Sequence, residues 1–185
     1  MSDKVQNFFS QYLKNEEIFL IGPLYQKQNF SAPVIYVDRG ATFKRDHGLT
    51  LGDGDSYSQN LDINLDPEKS FSDFAYALSI IPNQFKKIQT YGFLGGRKDH
   101  EIINLGESHR FLLYKMNTYI DFDLKVRALS PGNWKLTLTG TFSLFSFKDT
   151  EITMNGHCKY QLQGRNSLTG LSSQGLSNEG HGAIT

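Results

Sequence analysis

Apolar positions along the first part of the chain alternate between a helical and a strand period. Val5, Phe8, Phe9, Tyr12 and Leu13 recur at i, i+3, i+4, i+7 and i+8, which predicts an amphipathic helix over about Asp3 to Asn15. Ile18-Phe-Leu-Ile21 and Pro33-Val-Ile-Tyr-Val37 are short unbroken apolar runs, the pattern of strands buried on both faces. Leu49-Thr-Leu51 is a weaker third strand. Asp66-Pro67 predicts an N-cap with proline in the first turn. The helix it opens would carry the stripe Phe71, Phe74, Ala75, Leu78 and Ile81 and end at Pro82. A buried strand follows over Ile88 to Leu94, then a helix from about Asp99 with Ile102, Ile103 and Leu105. Strands alternating with helices predict βαβ units around a mainly parallel sheet.

After about Tyr119 only the strand period remains. Trp134-Lys-Leu-Thr-Leu138 alternates, and Phe142 to Phe147, Glu151 to Met154 and Tyr160 to Leu162 predict further strands. Pro131-Gly132-Asn133 and Asn155-Gly156 predict turns, and Ser167 to Gly182 is a polar Ser/Gly-rich tail. The expected fold class is therefore an α/β N-terminal domain with a mainly parallel sheet over residues 1–118, followed by a smaller all-β, sandwich-like C-terminal domain over residues 119–185. Phe142, Leu144, Phe145 and Phe147 place apolar side chains on both parities. Short strands of that kind need cover on two faces, which leads to the expectation of a homodimer.

Composition narrows the function classes. The chain has 185 residues, enough for one domain or two small ones. Its 19 Lys+Arg balance 19 Asp+Glu, which removes the electrostatic basis for a general nucleic-acid binder or a polybasic membrane-surface protein. The single cysteine, Cys158, excludes an intramolecular disulfide. Met1 to Asn7 lacks the basic and apolar parts of a signal peptide, and Gly22 and Pro23 break the longest apolar run, so a soluble cytoplasmic protein is expected. The 5 histidines show no zinc-ligand spacing.

Three clusters carry chemistry, each with a plainer structural alternative. In Gly52-Asp-Gly-Asp-Ser56 two carboxylates beside a strand end can converge on a divalent cation, or form an ordinary Asp-Gly turn. Asp73, with Ser72, can reach a metal at the sheet's carboxyl edge, or complete a capping box with Ser70. Gly92-Phe-Leu-Gly-Gly-Arg-Lys-Asp-His100, with Asn104 one turn on, runs from a strand through glycines into a helix. Its amides and Arg97 suit phosphate, although neither the P-loop nor the Gly-x-Gly-x-x-Gly pattern is present. The alternative is a surface turn. Gly175 to Glu179 is, by composition, a polar loop.

Taken in order, these clusters resemble the thiamine pyrophosphokinase family. Val37-Asp38-Arg39-Gly40-Ala41 is similar to its acidic-glycine turn, and Gly52 to Ser56 to its Gly-Asp-x-Asp-Ser element. Lys69, Ser72-Asp73 and Ala77-Leu78 are similar to its Lys, Thr-Asp and Ala-Leu helix start. The Gly92–Asn104 block is present in full, followed by Lys159 to Leu162 and Ser177-Asn178-Glu179. Arg39 stands where the family has a second glycine, and the stretches from Ala41 to Gly52 and from Ser56 to Ser72 are shorter than its norm.

The resemblance implies a homodimer that transfers a pyrophosphoryl group from ATP to thiamine with Mg²⁺, leaving AMP. It implies Asp53, Asp55 and Asp73 as metal ligands, with Asp38 beside them, and Arg97 at the phosphates. Gly95, Gly96, Asp99, His100 and Asn104 would line the ATP site, while Ser177 and Asn178 would meet thiamine. Two alternatives stay open: a pyrophosphokinase for another alcohol, such as a hydroxymethylpterin, and a catalytically silent binder of thiamine or thiamine diphosphate. A sugar-nucleotide transferase inferred from Asp53 and Asp55 alone leaves the Gly92–Asn104 block unexplained.

Overall fold

The computed structural model describes residues 2–25, 30, 33–45, 47–55 and 60–185, with backbone only at 163–166. The chain divides into two compact units, Met1–Pro131 and Gly132–Thr185.

The first unit is built on a 7-stranded sheet. Its strands are β1 (Glu17–Ile21), β2 (Val34–Val37), β3 (Gly48–Gly52), β4 (Ile63–Asn64), β5 (Lys87–Tyr91), β6 (Tyr119–Phe122) and β7 (Val126–Leu129). They lie in the order β4-β3-β2-β1-β5-β6-β7. Every pair is parallel except the hairpin β6–β7. Strand order reverses at β1, which holds β2 on one side and β5 on the other. In open α/β sheets ligands bind beyond the carboxyl ends of the strands at such a reversal.

The helices are α1 (Asp3–Ser10), α2 (Asp73–Ser79) and α3 (Lys98–Leu112). Val5, Phe8 and Phe9 of α1, Phe74 and Leu78 of α2 and Leu112 of α3 share one core with Ile18, Leu20, Ile35 and Ile88 of the sheet. The other sheet face carries Ile21, Val34 and Tyr36 against Tyr25, Ala41 and Leu61. No helix among the described residues is long and apolar enough to cross a membrane.

Several expected boundaries move. The first helix ends at Ser10, and Leu13 is exposed. Asp66 does not cap a helix: its Oδ1 accepts the Glu68 N–H at 2.8 Å and closes a turn. The cap is Ser72, whose Oγ accepts the Ala75 N–H at 3.1 Å, so α2 starts at Asp73. Of the apolar positions expected to pack on α3, Leu105 lies against the core, whereas Ile102 is 61% and Ile103 54% exposed. Asn104 and Ser108 are buried instead, because both find partners inside: Asn104 Nδ2 donates to the Phe93 carbonyl and Ser108 Oγ to the Asn104 carbonyl.

The change of unit also moves, from 118/119 to 131/132. Tyr119–Phe122 and Val126–Leu129 were expected in the β-rich part, yet they complete the first sheet through β5–β6 and β6–β7 pairing. The second unit is all-β, with β8 (Leu136–Phe142), β9 (Thr150–Met154), β10 (Gly156–Cys158), β11 (Leu162–Leu168) and β12 (Asn178–Ile184). These form a 3-stranded sheet, β10-β12-β8, and a 2-stranded sheet, β11-β9, both antiparallel. The predicted strand over Phe142 to Phe147 keeps only Phe142; beyond it Leu144 N–H donates to the Gly175 carbonyl. Conversely, the polar tail supplies β12, the middle strand of its sheet.

Candidate functional site

Two of the predicted acidic residues come directly off strand ends. Asp38 follows β2 with φ 53° and opens a 3-10 helix, Asp38–Phe43. Aspartate tolerates this left-handed backbone better than most residues. Gly40 lets the helix settle on the end of β1, since a Cβ there would lie 2.1 Å from the Ile21 carbonyl oxygen. Asp53 follows β3, and its Oδ1 accepts the Asp55 N–H at 3.3 Å across Gly54. Carboxylate oxygens of Asp38, Asp53 and Asp55 lie within 4.8 Å of one another. Three hard oxygen donors at that separation fit a divalent cation such as Mg²⁺. Ser56, the last residue of the predicted element, lies outside the described residues.

Asp73 is not a member of that trio; Lys69 ties it to the trio's edge. Lys69 Nζ lies 3.1 Å from Asp53 Oδ2 and 3.0 Å from Asp73 Oδ1, with the lysine side chain only 8% exposed. Burial would raise the Asp53 carboxyl, but the Lys69 hydrogen bond, the Asp55 amide and the lysine charge outweigh it and hold Asp53 below its ordinary range. Asp73 moves the other way. Burial raises it, and the charges of Asp53 and Asp55 add to that against the pull of Lys69. The sequence marked Lys69 only as a motif position, and its place between two carboxylates depends on the fold.

The glycine-rich block is arranged differently from its expected role. Gly92 ends β5 with φ 76°, and a Cβ there would lie 2.3 Å from the Tyr25 nitrogen, so only glycine fits. Its N–H donates to Asp123 Oδ1 at 3.0 Å. The Gly95 amide, expected to face phosphate, donates to Glu101 Oε1. The Glu101 carboxyl is held low by Lys98 first, then by the Gly95 and Gly96 amides. Arg97 is paired with Asp99 through Nε and Nη2, and this pairing pulls the Asp99 carboxyl down to about 2. The His100 N–H also donates to Asp99 Oδ1, at 3.0 Å. Asn104 is buried and holds the Phe93 carbonyl at 3.0 Å, which makes it a clamp on the loop.

In the second unit Ser177 has φ 59° and an exposed side chain. Its neighbour Asn178 is buried and spends its amide on Tyr160: Oδ1 accepts the Tyr160 N–H at 3.0 Å and Nδ2 donates to the Tyr160 carbonyl at 2.8 Å. Asn178 is a backbone clasp in this structure.

No family model matches the chain, and no curated protein does. Solved structures do. A thiamine pyrophosphokinase from Bacillus subtilis is similar over 91% of this chain and 92% of its own, at 20% identity and TM-score 0.65. A thiamin pyrophosphokinase from Geobacillus thermodenitrificans is similar over 91% of this chain and 94% of its own, at 20% identity and TM-score 0.61. One from Candida albicans is similar over 95% and 86%, at 14% identity and TM-score 0.55. The chain has the thiamine pyrophosphokinase fold.

Proposed function

We propose that this protein is a cytoplasmic thiamine pyrophosphokinase. The observation that carries the proposal is the convergence of Asp38, Asp53 and Asp55 at the carboxyl edge of a sheet whose fold is shared with proteins of that name. These three carboxylates would hold Mg²⁺, which when bound supplies charge neutralisation for the phosphates. The thiamine hydroxyl oxygen attacks the β-phosphorus of ATP, the bond from that phosphorus to the α-bridging oxygen breaks, and AMP leaves. The hydroxyl proton goes to Asp73, whose raised pKa makes it a stronger base than Asp53. Lys69 keeps Asp53 and Asp73 in place while negative charge moves. Arg97 exchanges Asp99 for phosphate oxygens, a swap between two charge-assisted partners. Ser177 contacts thiamine within a homodimer.

Glu101 favours a second reading. Its carboxylate occupies the amide that phosphate would need, as expected of a silent binder of thiamine or thiamine diphosphate. One experiment separates the two: purified protein with ATP, Mg²⁺ and thiamine, products resolved by chromatography. Thiamine diphosphate and AMP in equal amounts support the enzyme. ADP with thiamine monophosphate contradicts it. No product, together with saturable binding of thiamine diphosphate, establishes the silent binder, and turnover only with a hydroxymethylpterin reassigns the alcohol.

A further inference from the structure

A cavity of about 460 Å³ opens on the sheet face opposite α1, α2 and α3. Its floor is Val34 and Tyr36 of β2 with Gly48 of β3, and its walls are Tyr25, Phe30 and Phe43. A Cβ at Gly48 would lie 2.2 Å from the Tyr36 ring, so glycine gives that ring its place in the floor. The wall rings touch one another: Tyr25 and Phe43 meet edge-on at 5.0 Å between centroids, and Tyr25 and Phe30 at 5.5 Å. Such a lining favours a further flat ring, which stacks or meets edges with those present.

The rim is cationic. Lys44, Arg45 and His47 are exposed along it. The Lys44 charge is answered by Asp62 at 2.8 Å, whereas Arg45 has no ion-pair partner among the described residues. An aromatic box with a guanidinium at its mouth selects both a ring and a negative charge. The volume lies in the range of small-molecule sites and holds one or two fused rings. Val34 and Gly48 open β2 and β3 and pair with each other, whereas Asp38 and Asp53 follow the carboxyl ends of those strands, so the cavity floor lies at the end away from the acidic trio.

We propose that this cavity binds a flat aromatic anion, a ring bearing a phosphate or carboxylate, with the ring among Tyr25, Phe30 and Phe43 and the anionic group at Arg45. The test uses the full chain without added metal and the fluorescent probe 1-naphthyl phosphate, read by anisotropy. Cyclohexyl phosphate keeps the charge and loses the ring; 1-naphthalenemethanol keeps the ring and loses the charge. Each is expected to compete at least about tenfold more weakly than unlabelled aromatic phosphate. Arg45→Ala, at an exposed position, should weaken the probe about tenfold with an unchanged melting temperature. Phe43→Ala should weaken it as well. Equal competition by cyclohexyl phosphate or indifference to Arg45→Ala would each overturn the proposal.

Discussion

Lys69 and Asp73 form a buried ion pair, four residues apart in the chain, with Nζ 3.0 Å from Oδ1. The same ammonium donates to Asp53 Oδ2 at 3.1 Å, so one cation answers two carboxylates. Asp73 is held by Lys69 in a place where desolvation already disfavours its ionised form.

Removing the cation should expose that tension. Lys69→Ala leaves two partly buried carboxylates facing each other and is expected to cost about 2–4 kcal/mol, read by urea unfolding. Added Mg²⁺ should restore much of the loss, because a bound cation answers the same charges. A loss that Mg²⁺ leaves untouched would separate Lys69 from the acidic trio.

The two aspartates should titrate on opposite sides of the ordinary value of 3.8, Asp53 below and Asp73 above. Carboxyl-carbon NMR reads both. The signs for stability follow. Asp53 stabilises the fold above 3.8, and that contribution is lost as pH falls through its lower folded value. Asp73 takes up its proton first in the folded state, so lowering pH through its raised value adds stability, and Asp73→Asn should abolish only this limb. Turnover should fall over the same limb if Asp73 is the base.

Asp55 is exposed and outside the Lys69 pairing, which makes it the cleanest probe of the proposed metal site. Asp55→Asn should lower turnover at least about 100-fold, several kcal/mol of lost charge stabilisation. The melting temperature without metal should hold or rise as like charges are thinned. Near-normal turnover would take the trio out of the mechanism.

Asn178 and Ser177 should part company. Asn178→Ala removes both bonds to the Tyr160 backbone and is expected to cost about 1–3 kcal/mol by thermal or urea unfolding. Ser177→Ala should leave stability alone and weaken thiamine binding, measured by calorimetry. A stable Asn178→Ala protein that fails to bind thiamine would return Asn178 to the substrate.

Gly92→Ala should be among the most damaging single changes in the first unit. It forces a Cβ to within 2.3 Å of the Tyr25 nitrogen on a backbone with φ 76°. Strain and displacement together should cost at least about 2 kcal/mol, visible in the unfolding midpoint.

What the sequence makes legible follows from how each element is stabilised. β1 and β2 are largely buried, so Ile18 to Ile21 and Val34 to Val37 announce themselves as unbroken apolar runs, while β5 buries the polar Gln89 and Thr90 beside Ile88. β12, Asn-Glu-Gly-His-Gly-Ala-Ile, has little strand propensity of its own; it is extended because β8 and β10 pair with it from both sides. Asp53 and Asp55 are close in sequence and stay close in space. Lys69 is 16 residues from Asp53, and only the route through β4 returns it there. Asn104 and Asn178 show why a motif alone leaves a role open: an amide suited to a ligand is equally suited to a nearby backbone carbonyl, which both amides hold here.

The strand order has a consequence for engineering. β1 to β4 and β5 to β7 are each consecutive in the chain, and a single ladder, Glu17↔Lys87 through Ile21↔Tyr91, stitches the two blocks together. The protein is thus divisible at the exposed turn Asp66 to Glu68. A cut there puts Asp53 on one fragment and both Lys69 and Asp73 on the other. Co-expressed halves should zip along that seam and rebuild the Lys69–Asp53 contact, so that recovered turnover becomes a split-protein reporter of their reunion.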